Sequence, residues 1–206
     1  MEAEARSTAG AEFGGCLDCD GRCCRRYLVP LTCSDVHLVS RALALSPEQF
    51  VTLVPQAEEE PAGIRLSAAA PPFAMVLQRR EPISEHPPCI FLMELPGGTA
   101  RCGVYAHRPR VCRTFPARLR QDGMEIQSEI PCSAGSWKLA RMDLPRWRNE
   151  LIRSEMEQAL HRIVVARWNA ALGGADATPA DFFRFAMALC DRLEPAANLA
   201  EGGPSP

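Results

Sequence analysis

Lysine is nearly missing from this sequence. Among its 206 residues are 23 basic ones, and all of these except Lys138 are arginine. The 25 acidic residues leave a net charge of −2, so the chain lacks the basic excess that is typical of nucleic-acid-binding proteins. We therefore expect no nucleic acid among its partners. A hydrophobic content of 47% is enough to bury a core.

Long apolar runs are missing as well. No run approaches the ~18 residues that indicate a membrane span. The N-terminal sequence MEAEARSTAGAEFGG has neither the basic region nor the apolar region of a secretory signal. We therefore expect a cytoplasmic protein that has no membrane partner.

The motifs of several enzyme classes are also missing. The sequence has no G-x-G-x-x-G nucleotide fingerprint, no G-x-S-x-G or H-E-x-x-H motif and no C-x3-C-x2-C pattern of radical enzymes. Its four histidines form no H-x3–5-H pair after the first C-x2-C, which excludes a Cys2His2 zinc finger as a pattern.

Cysteine, by contrast, is abundant, with ten residues. Cytoplasmic thiols stay reduced, so clustered cysteines indicate metal binding or catalysis rather than disulfides. Cys190 falls in a helical apolar pattern typical of a buried structural thiol, and Cys33 lies at a predicted helix start, which leaves its role open. The other eight lie beside turn, hairpin or loop signals. We predict that these eight are metal ligands: Cys16, Cys19, Cys23, Cys24, Cys89, Cys102, Cys112 and Cys132.

Eight thiols make two sets of four, and four thiolates are what a structural zinc ion or an iron–sulfur cluster requires. Neighbouring side chains point in different directions. We therefore expect Cys23 and Cys24 to serve two metal centres, or two metals of one compact polynuclear site. His107 is an alternative ligand, although a surface or core histidine is the better interpretation.

Six arginines and no acidic residue lie between Arg101 and Gln121. Their positive charges would compensate the negative charge of a metal–thiolate centre, or bind an anionic substrate or cofactor. We favour an iron–sulfur cluster of the 4Fe–4S type over Zn²⁺, and both remain open.

The stretches CLDCDGRCCRRYLVPLTCSDV and CIFLMELPGGTARCGVYAHRPRVCRTFP resemble the YkgJ-type cysteine-cluster family over residues 14–135. The resemblance implies a zinc- or iron-chelating domain, a module shared with flagellin lysine-N-methylases. Three residues separate Cys19 from Cys23 here, where the family signature CxxCxxCC has two. Cys132 takes the place of the family's last cysteine. The second motif is carried by Cys89, Phe91, Leu92, Cys102, Tyr105, Arg108, Pro109, Cys112, Arg113, Phe115 and Pro116.

Three residues of this second motif are predicted to surround the metal ligands without binding the metal themselves. They are Tyr105, Arg108 and Arg113, and contact with a substrate or a redox partner is the alternative role. Pro109 disfavours helix at Arg108, so the chain should enter the third cysteine in an extended conformation.

The predicted fold class is α+β, with a loop-rich cysteine core and small β-hairpins packed against C-terminal helices. We expect flexible tails at 1–13 and 194–206, a cysteine-cluster metal-binding domain at 14–140 and a helical region at 141–193.

Local signals predict the individual elements. Ser34 should cap one short helix, and Ser46 with Pro47 should open a second. A hairpin should turn at Pro96-Gly97-Gly98 and bring Cys89 and Cys102 to neighbouring strands, and another should turn at Asp122-Gly123. A final helix should begin near Thr178 and Pro179. One helical stripe is predicted to be buried: Ile152, Met156, Leu160, Ile163, Val164 and Trp168.

These observations leave three functions. The first is an iron–sulfur protein that transfers electrons to a redox partner protein or acts as an oxidoreductase. The second is a non-catalytic zinc- or iron-chelating module with a structural or adaptor role. The third, implied by the family alone, is lysine N-methylation of a protein. Whether the chain is an enzyme stays open.

Overall fold

The computed structural model describes residues 19–57, 63–80, 87–121, 123–132, 137, 140 and 142–200, with side chains up to residue 193. Cys16, Asp122 and the predicted tail at 1–13 lie outside the described residues. In the described part of the chain, no helix combines the length and the apolar character that a membrane crossing requires.

Short helices and two-stranded sheets alternate along the first two thirds of the chain, and two long helices follow. This arrangement confirms the predicted α+β class. The elements are α1 (Arg22–Arg26), α2 (Cys33–Leu43), a 3₁₀ helix (Pro47–Gln49), β1 (Val51–Pro55), β2 (Phe73–Leu77), β3 (Leu92–Glu94), β4 (Ala100–Cys102), a second 3₁₀ helix (Tyr105–His107), α3 (Arg110–Thr114), β5 (Ala117–Arg120), β6 (Gly123–Ile126), α4 (Leu144–Leu172) and α5 (Pro179–Ala200). Strands pair as β1 with β2, β3 with β4 and β5 with β6.

The chain divides into two compact units, each built from two separate segments. Unit 1 contains residues 1–30 and 77–156, and unit 2 contains residues 31–76 and 157–206. The predicted boundaries at 140 and 193 remain predictions. Backbone helix continues to Ala200 in α5, beyond the helix end expected from sequence.

In unit 1, the β3–β4 hairpin turns where Pro96-Gly97-Gly98 predicts. Gly97 and Gly98 have φ values of 85° and 81°, a conformation that favours glycine. The antiparallel register pairs Leu92 with Cys102. The expected placement of Cys89 on a strand of this hairpin is wrong: Cys89 precedes β3 and forms an isolated bridge with Arg79 instead.

The second hairpin of unit 1, β5–β6, packs against the start of α4. Its antiparallel register pairs Arg120 with Gly123 across the predicted turn. Ala117 forms a buried cluster with Trp147 and Leu151 of α4, and the Trp147 ring meets Trp137 edge to face at 5.7 Å.

In unit 2, Thr32 rather than Ser34 caps α2. The Thr32 side chain accepts a hydrogen bond from the backbone N–H of Asp35, whose carboxylate accepts one from the backbone N–H of Thr32. Because Ser34 is already inside the helix, its predicted role as the cap is wrong. Ser46 does form a capping box, with Gln49, but the element that follows is a 3₁₀ helix.

The predicted buried stripe on α4 is wrong for half of its members. Ile152, Met156 and Ile163 are 41%, 65% and 51% exposed, whereas Val164 and Trp168 are buried. This helix carries apolar residues on more than one face, so periodicity alone could not identify the face that packs. The other buried apolar positions are Trp147, Leu151 and Val165.

Candidate metal centre

Unit 1 contains a cavity of about 350 Å³ whose wall brings cysteines from distant parts of the sequence together. They come from α1 and the residues before it, from the segment before β3, from β4 and from α3. The lining cysteines are Cys19, Cys23, Cys24, Cys89, Cys102 and Cys112. Six of the eight predicted ligands therefore line one cavity.

Gly21 lets the first cysteine segment approach the β3–β4 hairpin. It precedes α1 with a φ of 80°, and a Cβ at this position would lie 2.8 Å from Leu92 Cδ1. The backbone N–H of Gly21 donates to Cys19 Sγ at 3.3 Å, and the Cys19 carbonyl accepts from Ala100 N–H at 3.0 Å. The same turn thus positions Cys19 and presents a hydrogen-bond donor to its sulfur.

The consecutive residues Cys23 and Cys24 both line the cavity, and their Sγ atoms are 3.9 Å apart. Sulfurs around a tetrahedral zinc ion, with Zn–S bonds of about 2.3 Å, are separated by about 3.8 Å. The pair is therefore spaced like two ligands of one metal or of two adjacent metals. Of the two arrangements expected for this pair, the shared compact site fits this geometry better than two separate centres.

Backbone hydrogen bonds position two more lining cysteines, and one of these bonds connects Cys89 to the first segment. Cys89 N–H donates to the Cys24 carbonyl at 2.9 Å, and Cys112 N–H donates to the Pro109 carbonyl at 2.9 Å. Arg79, which sequence reasoning missed, donates to the carbonyls of Arg25 at 2.9 Å and Tyr27 at 2.5 Å. It fixes the end of α1 from a position more than fifty residues away, and its only signal in the sequence is a charge inside an apolar strand pattern.

The cysteine thiols of this cavity differ in their pKa values. The pKa of Cys23 falls to about 7, chiefly because the Cys24 thiol donates a hydrogen bond to it. The same hydrogen bond, followed by burial, raises the pKa of Cys24. Burial also raises the pKa values of Cys89, Cys102 and Cys112. Several thiolates cannot coexist in this cavity without a compensating positive charge, which a metal would supply.

The predicted ligand Cys132 lies outside the cavity wall but in the same unit. Its thiol is half-buried, and burial raises its pKa. Arg22 Nη1 donates to the carbonyl of the preceding Pro131 at 3.4 Å, which ties this segment to α1. The alternative ligand His107 ends the second 3₁₀ helix and is absent from the residues that line the cavity.

Cys33 and Cys190 belong to unit 2. Cys33 is fully buried, and its Sγ lies 3.2 Å from His161 Nδ1. Burial raises the pKa of the Cys33 thiol, with the Cys190 thiol as the second cause. Burial also lowers the pKa of His161 to about 4. Both partners are therefore neutral near pH 7, and the neutral thiol and the neutral imidazole share this hydrogen bond.

Tyr105 and Arg108 line the thiol cavity, as expected for residues that surround the metal ligands. Arg108 is 7% exposed, and its guanidinium carbon lies 3.9 Å from the centre of the Tyr105 ring. Arg113 stabilises the backbone of this pair through two hydrogen bonds. Its Nε donates to the Arg108 carbonyl at 2.9 Å, and its Nη2 donates to the Ala106 carbonyl at 2.7 Å.

The donor set of the cavity fits a thiolate-binding metal. Soft sulfur ligands select zinc, copper(I) or iron–sulfur clusters over hard cations. Within the residues that the structure describes, however, no three cysteine, histidine, aspartate or glutamate side chains are grouped so that they could hold a single ion. Six thiols line one cavity, which is enough donors for a single ion or for a centre of several metal atoms.

Comparison with known proteins gives one match. The sequence pattern of the family CxxCxxCC, described as "putative zinc- or iron-chelating domain", matches residues 15–134. No curated protein and no solved structure matches the chain. The matched residues begin one position before Cys16 and end two positions after Cys132, so they include all eight predicted ligands.

Proposed function

Since the chain belongs to the CxxCxxCC zinc- or iron-chelating domain family, we propose that its cysteines hold an iron–sulfur centre and that the protein transfers electrons through it. The observation that carries this proposal is the single cavity lined by six cysteines. An iron–sulfur centre is held by thiolates and contains several metal atoms, which agrees with a donor set of six thiols around one cavity.

Cys23, Cys24, Cys89, Cys102 and Cys112 are the best candidates to hold the centre, and Cys19 is a further one. Four of them suffice for a 4Fe–4S cluster. The cluster, when bound, supplies one-electron chemistry, and the protein's own residues set its surroundings. Aromatic and aliphatic side chains complete the cavity wall and limit the access of water: Tyr27, Leu28, Leu77, Phe91, Val104 and Phe115.

The cavity wall also supplies groups that stabilise sulfur-bound negative charge. Gly21 N–H donates to Cys19 Sγ, and the Arg108 guanidinium is buried in the wall. Hydrogen bonds to the sulfurs and nearby charge are the means by which a protein adjusts the reduction potential of a cluster. A redox protein is the partner that this function requires, and the cytoplasm is the compartment that we propose for it.

A non-catalytic zinc or iron site is the second candidate. The 3.9 Å separation of the Cys23 and Cys24 sulfurs favours it, because this spacing equals that of two ligands of one tetrahedral ion. In this case the metal would hold the cysteine segments together and would transfer no electrons, since zinc has no redox chemistry in proteins.

Metal and sulfide measurements on the full chain, purified without oxygen, separate the two candidates. Iron, acid-labile sulfide and zinc are measured per protein, and the visible spectrum is recorded before and after dithionite. Iron and sulfide in equal amounts, with visible absorption that bleaches on reduction, support the iron–sulfur centre. Colourless protein with stoichiometric zinc contradicts it and supports the second candidate.

Cys190→Ser is a matched control for these measurements. Cys190 is buried in unit 2 and lies outside the cavity, so the variant should keep the wild-type metal content. Loss of metal from this variant as complete as from a cavity variant would contradict the assignment of the centre to the cavity.

A further inference from the structure

Arg108 is a cation buried in the wall of the thiol cavity. Only 7% of the residue is exposed, and its guanidinium stays charged at any pH near neutral. The chain reaches Arg108 directly after the 3₁₀ helix Tyr105–His107 and enters α3 two residues later. Its place in the fold is therefore fixed on both sides by short helical turns.

The orientation of the guanidinium is fixed by the same turn. The guanidinium carbon lies 3.9 Å from the centre of the Tyr105 ring, and Arg108 Nε donates to the Tyr105 carbonyl at 3.2 Å. Arg113 Nε donates a hydrogen bond to the Arg108 carbonyl. A charge held in this way needs no reorganisation when a charge of opposite sign enters the cavity.

Arg108 shares the cavity wall with cysteines of three different elements: Cys23 on α1, Cys102 on β4 and Cys112 on α3. A single cation thus favours the thiolate form of sulfurs on several sides of the cavity. These are the sulfurs that carry negative charge once a metal is bound.

We propose that Arg108 is the counter-cation of the metal–thiolate centre, a positioning residue that raises its metal affinity and, where iron is bound, its reduction potential. This inference rests on the proposed metal centre in the cavity, whichever of the two metals it holds.

The direction of both effects follows from charge. Four thiolates leave a zinc ion with a net charge of about −2, and reduction adds one further electron to an iron–sulfur cluster. A fixed positive charge that is buried in the protein stabilises the more negative state by more than an exposed charge would. Arg108 should therefore favour bound over free metal, and reduced over oxidised cluster.

Arg26 is a matched exposed control. It also lies over a tyrosine ring, at 6.0 Å from the centre of Tyr27, and it is two residues from Cys24. Unlike Arg108, it is exposed and absent from the cavity wall, so water screens its charge.

The test compares the wild-type chain with Arg108→Gln, Arg108→Lys and Arg26→Gln, all reduced and free of oxygen. Zinc affinity is measured by competition with a chromophoric chelator, and the midpoint potential is measured on iron-loaded protein. Arg108→Gln should weaken zinc binding about tenfold. A tenfold loss in the stability of the reduced cluster relative to the oxidised cluster would lower the one-electron potential by about 59 mV. Arg108→Lys keeps the charge but loses the planar contact with Tyr105 and the Nε hydrogen bond, so its zinc affinity and potential should lie between those of wild type and Arg108→Gln, and Arg26→Gln should be unchanged.

Two results would overturn the proposal: zinc affinity and potential in folded Arg108→Gln equal to those of Arg26→Gln, or an equal loss in Arg108→Lys and Arg108→Gln. The second result would assign Arg108 a packing role. Circular dichroism of each metal-free variant checks the fold. Where Arg108→Gln does not fold, Arg108→Lys decides: it keeps the charge without the guanidinium plane, so a loss of zinc affinity of about tenfold or more contradicts the counter-cation role. Protein that takes up zinc but no iron would contradict the electron-transfer function, while its zinc affinities would still test Arg108.

Discussion

The sulfur atoms of Cys23 and Cys24 lie 3.9 Å apart and line the same cavity. Both residues belong to the single turn of helix α1, whose N-terminal Gly21 and C-terminal carbonyls are held by other parts of unit 1. Two adjacent thiols in this position bring two ligands to one centre from one short segment, so each should be needed for metal binding.

Substitution of either vicinal cysteine should therefore remove metal. We expect Cys23→Ser and Cys24→Ser to lose most of the iron or zinc found in the wild-type chain, because a hydroxyl is a poor ligand for these metals compared with a thiolate. Metal content per folded protein, measured after purification without oxygen, checks this expectation.

Cys33→Ser gives the corresponding control. Cys33 is buried in unit 2 beside His161, and it is not among the residues that line the cavity. Its substitution should leave metal content unchanged. Full metal content in both vicinal variants, or loss of metal only in Cys33→Ser, would place the centre elsewhere.

Features that depend on local chemistry could be predicted from the sequence. The turn at Pro96-Gly97-Gly98 forms where expected, because it requires residues that accept a positive φ. The cysteines themselves identify a thiol site, but their grouping around one cavity depends on contacts between distant segments. The predicted cap of α2 was wrong because Thr32 and Ser34 carry equivalent hydroxyls, and the carboxylate of Asp35 selects Thr32.

Features that depend on distant partners could not be predicted. Arg79 donates to carbonyls 54 and 52 residues earlier in the chain, and no local pattern encodes such a contact. Likewise, Leu151 and Ile152 are adjacent and similarly apolar, yet only Leu151 is buried. The cluster formed with Ala117 and Trp147 determines which of the two faces the core.

The metal-free protein should contain one unusually acidic thiol. The pKa of Cys23 lies at about 7 because Cys24 donates a hydrogen bond to its sulfur. We expect one equivalent of thiol to react with iodoacetamide at a rate that rises through pH 7, well below the pH at which an ordinary cysteine ionises.

Removal of the donor supplies the control for this titration. In Cys24→Ala, the pKa of Cys23 should rise, since burial then remains as the largest influence on it. The rate of alkylation at pH 7 should fall accordingly. A fast reaction at pH 7 that persists in Cys24→Ala but disappears in Cys23→Ala would show that another group activates Cys23.

Stability should decrease in mild acid because of His161. Its pKa falls from 6.5 in the unfolded chain to about 4 in the folded protein, chiefly through burial. The unfolded state then binds more protons between these pH values. The free energy of unfolding is therefore highest above pH 6.5 and decreases as the pH falls toward 4, by roughly 3 kcal/mol at most.

His161→Gln removes this titrating group while it keeps a polar side chain next to Cys33. The urea unfolding of the chain, followed by tryptophan fluorescence, should then depend less on pH between 4 and 6.5 than in the wild-type chain. An identical pH dependence in both proteins would show that His161 is not the group responsible.

Gly21 should tolerate no side chain, for two separable reasons. Its φ of 80° costs an L-residue about 1–2 kcal/mol, and an added Cβ would lie 2.8 Å from Cδ1 of Leu92, a residue that is only 2% exposed. Gly98 has nearly the same φ of 81°, but a Cβ added there would meet no atom within 4 Å. Gly98→Ala therefore carries the backbone cost alone, whereas Gly21→Ala carries that cost and the clash.

We expect the melting temperature and the metal content to fall further in Gly21→Ala than in Gly98→Ala, because the clash displaces the turn that positions Cys19. Equal losses in the two variants would mean that Leu92 moves aside without disturbing the cavity.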